Sequence, residues 1–519
     1  MPATATPLPL IARAEAQRER TAIVGPDGPL TYGDLLDASG RVATALLAGR
    51  DDLAEARVAY CVAPGFHHVA VQWGIWRAGG VAVPLAVSHP PPELEYVVRD
   101  AGADTVVGAP DFATLLRPIA AAARVRYLTT SQVVAPRRLS PAGARLSALL
   151  GAPAEAPADE LPAVAESRRA MIVYTSGTAG RPKGVVTTHA NLRAQITSLV
   201  QAWEWTAHDR VLLVLPLHHV HGCICVLACA LWSGAVCEML PKFDADRSWD
   251  AIASGRLTLF MAVPTIYSRL IAAWEAASRE RRQAMSDGCR HLRLMISGSS
   301  ALPAPTFERW KEISGHALLE RYGMTEFGMA LANPLHGERR PGWVGQPLPG
   351  VEVRLARDSA PLPGESGETG EIEVRGPGVF LEYWGRLDAT RAAFRDGWFR
   401  TGDTAVVEHG WWRILGRTSQ DILKSGGYKV SALEIEDVLR GHPAIADCAV
   451  VGVRDRDWGE KICVAAELMP GRLLGLEELR EWAKDRLAPY QIPKDLQCLP
   501  ALPRNAMGKV VKSEVAKLF

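Results

Sequence analysis

Two short apolar runs, Met171–Tyr174 and Gly184–Thr188, bracket the stretch Thr175-Ser-Gly-Thr-Ala-Gly-Arg-Pro-Lys183. The runs suit adjacent buried strands. The stretch between them concentrates three hydroxyls (Thr175, Ser176, Thr178), two glycines (Gly177, Gly180) and the fixed cation Lys183. Glycine lets successive N–H groups converge on one point, and the hydroxyls and the ammonium add donors and charge. A loop of this composition is suited to a polyphosphate. It is not a Walker A loop, which needs Ser or Thr directly after the lysine. Here Gly184 follows Lys183, and the hydroxyls precede it.

A chain of 519 residues exceeds one hydrophobic core and implies at least two domains. Apolar residues make up 48% and charged residues 22%, as in ordinary globular proteins, and the formal net charge is +1. That balance argues against a generally basic nucleic-acid binder. The longest apolar stretch, Cys223 to Trp232, is too short to span a bilayer and reads as a buried helix. No stable membrane insertion is expected. The first residues lack the apolar core of a signal peptide; they are Ala/Arg-rich, as transit peptides are, but Glu15 and Glu19 count against one. Nine cysteines show no Cys-x-x-Cys pair, so buried reduced thiols and a cytoplasmic location are expected.

Helix-like and strand-like patterns alternate early: Leu35 to Leu47, Arg57 to Ala63, His68 to Ala78 and Gly80 to Pro84. Alternation of this kind predicts α/β layers with largely parallel strands. After about Gly350 the pattern turns to short strands with glycine turns, at Glu371 to Arg375, Gly397 to Arg400 and Gly410 to Ile414. The last hundred residues read as helix, strand, strand, helix (432–439, 448–453, 462–468, 476–487), enough for a small α+β domain. The pattern therefore sets off a compact tail after Gly416.

Four further strings carry chemistry. In Glu320-Arg-Tyr-Gly-Met-Thr-Glu326, Tyr322 offers a ring for a planar base and Gly323 a close backbone. Thr325 offers a phosphate donor. Glu326 offers the carboxylate that Mg2+ takes alongside phosphate oxygens. In Phe399-Arg-Thr-Gly-Asp403 the aspartate can accept from both ribose hydroxyls. Arg417 opens the string Gly416-Arg-Thr-Ser-Gln-Asp421, and Gly508-Lys509 closes Leu502-Pro-Arg-Asn-Ala-Met-Gly-Lys. In isolation, Glu326, Asp403 and Lys509 would each be ordinary surface or turn residues.

Together with the loop at 174–184, these strings resemble, in order, the motifs of the adenylate-forming superfamily: acyl-CoA synthetases, luciferases and peptide-synthetase adenylation domains. The resemblance runs from about residue 20 to the end. Departures are Ala179, where the family commonly has Thr, Phe399, where it usually has Tyr, and one extra residue near Ser419. It implies a large N-terminal domain (1–418) of layered α/β subdomains plus a β-rich subdomain, a hinge at Ser419 or Gln420 (419–420), and a small, mobile C-terminal domain (421–519). The implied substrates and cofactor are ATP, CoA and Mg2+. Implied ATP and AMP contacts are Thr175, Ser176, Gly177, Thr178, Lys183, Ser299, Ser300, Tyr322, Gly323, Met324, Thr325, Asp403 and Arg417, with Glu326 and Thr178 at the metal. Lys509 is the implied catalytic lysine, stabilising charge between the attacking carboxylate and the α-phosphate. Catalysis also draws on Glu326 and His219. Gly426, Gly427 and Lys429 are implied to meet CoA. In bacterial members the tail lysine is an acetylation target, so a lysine acetyltransferase acting on Lys509 is an expected partner.

The acid is the remaining variable. Arg293 lies five residues before Gly298 on a strand-like run. Facing inward, it calls for the second carboxylate of a diacid. Facing outward, it says nothing, and spacing leaves both orientations open. The strings Leu215-Pro-Leu-His-His-Val-His-Gly222 and Phe260 to Tyr267 resemble malonyl-CoA synthetases. That resemblance implies that Arg293, with His219 and His221, holds the distal carboxylate of malonate or methylmalonate. A ligase for a short or aromatic monocarboxylate, and a module that loads a carrier protein, are the alternatives.

Overall fold

The computed structural model describes residues 8–134, 161–175, 181–357, 360–363, 367–426, 428–456, 458–504 and 509–519. Four sheets organise them. The first has seven strands in the order 382–383, 183–188, 169–175, 81–84, 57–61, 105–108 and 126–129. Its inner strands are parallel, as the alternation predicts, but Arg169–Thr175 and Lys183–Thr188 run antiparallel, with Thr175 opposite Lys183. The phosphate-loop string thus joins two antiparallel strands. Of its expected contacts, Ser176, Gly177 and Thr178 lie outside the described residues.

The second sheet has nine strands. Its centre is the parallel set Leu319–Met324, Leu294–Gly298, Leu259–Ala262, Arg210–Leu213 and Val236–Met239. The two innermost, Leu294–Gly298 and Leu259–Ala262, are buried and almost wholly apolar, as strands covered on both faces are. The helices Tyr32–Leu47 and Phe66–Arg77 lie against each other in the core joining the two sheets. Their approach depends on Gly74, where an added Cβ would stand 2.4 Å from Val42 Cγ1. Thr31 starts the first helix with a reciprocal cap: its hydroxyl accepts from the Asp34 N–H at 3.0 Å, and the Asp34 carboxylate accepts from the Thr31 N–H at 2.9 Å.

A third, antiparallel sheet is built on Glu352–Arg357, Thr369–Arg375, Trp398–Glu408 and Trp411–Arg417. The fourth belongs to the small C-terminal unit. Ile422–Ser425 and Tyr428–Ser431 form a hairpin beside the long pair Ile445–Asp455 and Gly459–Leu468, with Asp495–Leu499 added in parallel. The helices Ala432–Leu439 and Leu476–Ala483 pack on it around their own core. The architecture is the expected one, a large domain of α/β layers plus a β-rich part, then a small α+β domain.

The segment expected as one helix from Cys223 is wider at first. His221–Ala228 is π-helical, and Cys229–Ser233 continues as α-helix. Gly222 sits where a Cβ would be 2.4 Å from the Pro216 carbonyl, so the chain turns tightly just before the wide stretch. Wide turns of this kind concentrate at functional sites, and this one carries His221. All nine cysteines are free, and all but Cys498 are buried. Among the described residues no helix is long and apolar enough to cross a membrane.

Candidate active site

The nucleotide side of the site is assembled where the second and third sheets meet. Strands Trp398–Glu408 and Trp411–Arg417 pair with Asp403 opposite Arg417. That register puts Arg417 Nε 2.9 Å from Asp403 Oδ1. From the end of Leu319–Met324, the Tyr322 hydroxyl donates to Asp403 Oδ2 at 2.6 Å. Each carboxylate oxygen keeps a second lone pair, so Asp403 remains able to accept from a pair of sugar hydroxyls. Burial raises its pKa, and Arg417 and the Tyr322 hydroxyl oppose the rise. Gly323 is obligatory: an added Cβ would stand 2.0 Å from the Gly328 carbonyl. Met324 and Thr325 beside it are half-buried, and Arg417 Nη2 approaches Met324 Sδ at 4.0 Å.

Glu326 is buried, and the Tyr383 hydroxyl donates to its Oε1 at 2.8 Å. Lys183 Nζ lies over the same tyrosine ring at 4.4 Å. Burial raises the Glu326 pKa, whereas Arg417 and Lys183 pull it down. No salt bridge to Glu326 is found among the described residues, and no cluster of three metal-ligating side chains occurs among them. A single buried carboxylate fits Mg2+ held mainly by phosphate oxygens and water. It does not fit a structural metal.

The acyl side was only partly legible in the sequence. Arg321, on the strand Leu319–Met324, is 4% exposed. Its Nη2 donates to Ser299 Oγ at 3.3 Å, and its Nε has no hydrogen-bond partner among the described residues. No carboxylate is paired with it among the described residues, and burial pushes its pKa down to about 10. Its guanidinium fills the space over Gly298, where a Cβ would be 2.6 Å away.

Ser299 turns between them with φ +74°, a left-handed conformation that costs a non-glycine residue about 1 kcal/mol or more. Its hydroxyl also meets His221 Nδ1 at 3.2 Å. His221 Nε2 and His219 Nε2 are both buried and without partners among the described residues. Burial pushes the His219 pKa down to about 4, helped by the charges of Lys509 and His89, and lowers His221 further beside Arg321. Both imidazoles are therefore neutral near pH 7. Ser300, the next residue, is exposed.

Arg293 stands elsewhere, and its expected role at the substrate carboxylate is corrected. It precedes the strand Leu294–Gly298 and faces outward. Its Nε donates to Asp209 Oδ1 at 2.8 Å and its Nη2 to Asp209 Oδ2 at 2.8 Å, while Nη1 reaches the Trp203 carbonyl at 2.9 Å. Its charge is consumed by Asp209. The physical reason is position along the chain: Arg293 precedes the strand Leu294–Gly298, at the end away from the loop at Ser299. Arg321 is a buried cation that the sequence reading did not single out. Leu319 and Arg321 share one face of a buried strand, so a cation there was the available signal.

From the small domain, Lys509 comes into this site. Burial lowers its pKa, with Arg321 and Arg417 repelling its charge and Asp403 holding it. Thr418 and the expected hinge residues Ser419 and Gln420 form the turn after Arg417, where the Gln420 N–H donates to the Arg417 carbonyl at 3.1 Å. Gly426, expected at CoA, has φ +58° and lies against the Trp458 ring on the small-domain hairpin. Lys429 is exposed on the same hairpin, and Gly427 lies outside the described residues.

Two family models match the chain: "AMP-binding enzyme" over residues 10–384 and "AMP-binding enzyme C-terminal domain" over residues 434–509. The chain is 46% identical to "Malonate--CoA ligase ACSF3, mitochondrial" of Xenopus laevis, over 99% of this chain and 92% of that one. ATP-bound MatB from Rhodopseudomonas palustris superposes with a TM-score of 0.86 at 34% identity, covering 99% of both chains. The apo form of that protein has a TM-score of 0.77 at the same identity and coverage. With the loop, the Tyr322–Asp403–Arg417 set and the buried Glu326 already in place, these matches establish that the chain belongs to the AMP-binding enzyme family, the adenylate-forming enzymes.

Proposed function

We propose that this enzyme is an ATP-dependent malonate–CoA ligase that works through an acyl-adenylate. The observation that carries the choice of acid is Arg321, a buried guanidinium with no carboxylate paired to it among the described residues. An uncompensated charge at that depth costs several kcal/mol, roughly, and a ligand anion recovers it. A short diacid presents one carboxylate to the nucleotide and the other to Arg321, Ser299 and His221. A fatty acid offers nothing to that guanidinium. The 46% identity to an enzyme named malonate–CoA ligase supports the same reading.

In the first half-reaction a carboxylate oxygen attacks the α-phosphorus of ATP, and pyrophosphate leaves. Tyr322 and Gly323 border the base, and Asp403 accepts from the ribose hydroxyls. Lys509 faces the negative charge that builds on the α-phosphate and the incoming carboxylate, so its bonds strengthen in the transition state. Mg2+ at Glu326 neutralises phosphate charge when bound. Neutral His219 borders the acyl group. The better superposition on the ATP-bound relative, together with Lys509 in the site, supports an adenylation-ready arrangement.

In the second half-reaction the CoA sulfur attacks the acyl carbon, its proton leaves, and AMP is released. The small domain, 421–519, turns at Ser419 or Gln420 to withdraw Lys509 and to bring in Gly426, Gly427 and Lys429. A cytoplasmic location and acetylation of Lys509 by a lysine acetyltransferase belong to the same reading, the acetyl group removing the charge that adenylation uses. Cell fractionation and mass spectrometry of the purified enzyme test these two.

A pyrophosphate-release screen across mono- and dicarboxylic acids tests the acid. Malonate should lead the series, with butyrate at least about 100-fold lower in kcat/KM, as loss of a buried charge-assisted pair implies. A monocarboxylate in first place would remove the assignment.

A further inference from the structure

Three residues after Lys509 the chain largely encloses another lysine. Lys512 opens the last helix, Lys512–Ala516, and its side chain is 13% exposed. Its ammonium lies 2.5 Å from Asp421 Oδ1 and 2.7 Å from Glu436 Oε1, both carboxylates being buried. Neither contact belongs to substrate binding. Two acids on one buried cation, with good geometry, form an arrangement that holds one conformation.

The partners tie this lysine to particular places. Glu436 belongs to the helix Ala432–Leu439, and its Oε1 also accepts the Val450 N–H at 2.8 Å. It is therefore fixed to the small-domain sheet. Asp421 sits directly after the hinge turn. Its Oδ2 accepts the Arg417 N–H at 2.9 Å, and its own N–H donates to the Arg417 carbonyl at 2.7 Å. Arg417 in turn holds Asp403. A continuous set of bonds therefore runs from the ribose-side carboxylate, through the hinge turn, to the segment bearing Lys509.

That segment is held beyond Lys509 as well. Val510 bridges Arg504, and the Val511 N–H donates to the Pro503 carbonyl at 2.8 Å. These bonds shape the segment. The Lys512–Asp421 pair ties it to the turn after Arg417.

We propose that Lys512 is a positioning residue for adenylation: by clasping Asp421 and Glu436 it sets where Lys509 stands relative to Asp403 and Arg417. The proposal rests on the reading of Lys509 as the lysine that serves the first half-reaction. It assigns a role to a residue that touches no substrate. Removing the clasp lets Lys509 drift, and a misplacement of about 1 Å costs on the order of 100-fold in rate. The thiol step, which takes place with Lys509 withdrawn, does not need the clasp.

The test compares Lys512→Met, Lys512→Arg and Asp421→Asn with the parent enzyme. Pyrophosphate release is measured with whichever acid the parent uses best, so that a wrong choice of malonate does not affect the result. Thioester formation is measured separately from supplied acyl-adenylate and CoA. For Lys512→Met the expectation is a fall of about 100-fold in kcat of pyrophosphate release, with KM for ATP little changed and thioester formation within about threefold. Lys512→Arg should recover most of the loss, and Asp421→Asn, nearly isosteric, should fall about tenfold. Parallel loss of both half-reactions would mean that Lys512 merely holds the fold, and would overturn the proposal. Unchanged pyrophosphate release in Lys512→Met would do the same. A Lys509→Ala control that still releases pyrophosphate at the parent rate would instead remove the reading of Lys509 on which the proposal stands.

Discussion

Arg293 and Asp209 form a two-pronged ion pair, Nε to Oδ1 at 2.8 Å and Nη2 to Oδ2 at 2.8 Å, with the carboxylate buried and the guanidinium on the outer side. Asp209 also accepts from the Thr258 hydroxyl at 2.8 Å and the Thr206 N–H at 2.8 Å, and Arg293 holds its pKa down against burial. The pair ties the helix end at Trp203 to the start of two central strands.

Arg293→Met should therefore act on stability and leave substrate choice alone. It strands the Asp209 charge, at a cost of about 2–3 kcal/mol, below the full figure for a buried pair because the arginine is partly in water. Urea unfolding should show the lower midpoint, while the KM for malonate stays within about twofold of the parent. A large rise in that KM at unchanged stability would return Arg293 to the acyl pocket.

Arg321→Met should do the reverse. Removing the guanidinium relieves an uncompensated buried charge, so the melting temperature should hold or rise. The kcat/KM for malonate should fall by about 100-fold or more, and butyrate should gain relative to malonate. Steady-state pyrophosphate release with both acids decides it. Undiminished malonate turnover would show that the second carboxylate is held elsewhere.

Lys509→Ala should separate the two half-reactions. Adenylation should drop by about 100- to 1,000-fold, the range typical for removing one donor to a developing charge. Thioester formation from supplied malonyl-adenylate should stay near the parent rate. Equal damage to both would count against a small domain that works in two positions.

Acid and alkali should act on different residues. His68 and His219 are pushed down to about 4 by burial, and His189 to about 3. Between about 6.5 and 4 the unfolded chain binds protons that the folded chain refuses, so stability should fall as pH falls through that window. Glu320 is the opposite case: burial pushes it up to about 8, with Asp437 of the small domain adding repulsion and the Gly342 N–H opposing. The folded chain keeps that proton between about 4.5 and 8, so stability should be lost as pH rises across this range. Glu320→Gln keeps an acceptor for Gly342 and cannot ionise. Its melting temperature should exceed the parent's increasingly from pH 6 to pH 9, and equal melting curves at pH 9 would refute the assignment.

What the sequence alone determined was local and ordered. The strings that carry Thr175, Lys183, Gly323, Glu326 and Asp403 could be read because each keeps the residue types and order of a family motif, whereas the antiparallel pairing of the strands that end at Thr175 and begin at Lys183 could not. The fold class followed from hydrophobic period in the same way. Which arginine would face the acid was not local. Arg321 lies on a buried strand and Arg293 directly before another. Only the tertiary structure decided that Arg293 meets Asp209, 84 residues earlier in the chain, while Arg321 meets Ser299, itself bonded to His221, with no counter-ion among the described residues. The clasp of Lys512 on Asp421, across 91 residues, was equally invisible. A side chain's charge is written in its residue type, but whether that charge is already spent depends on which distant groups the fold brings within about 3 Å of it.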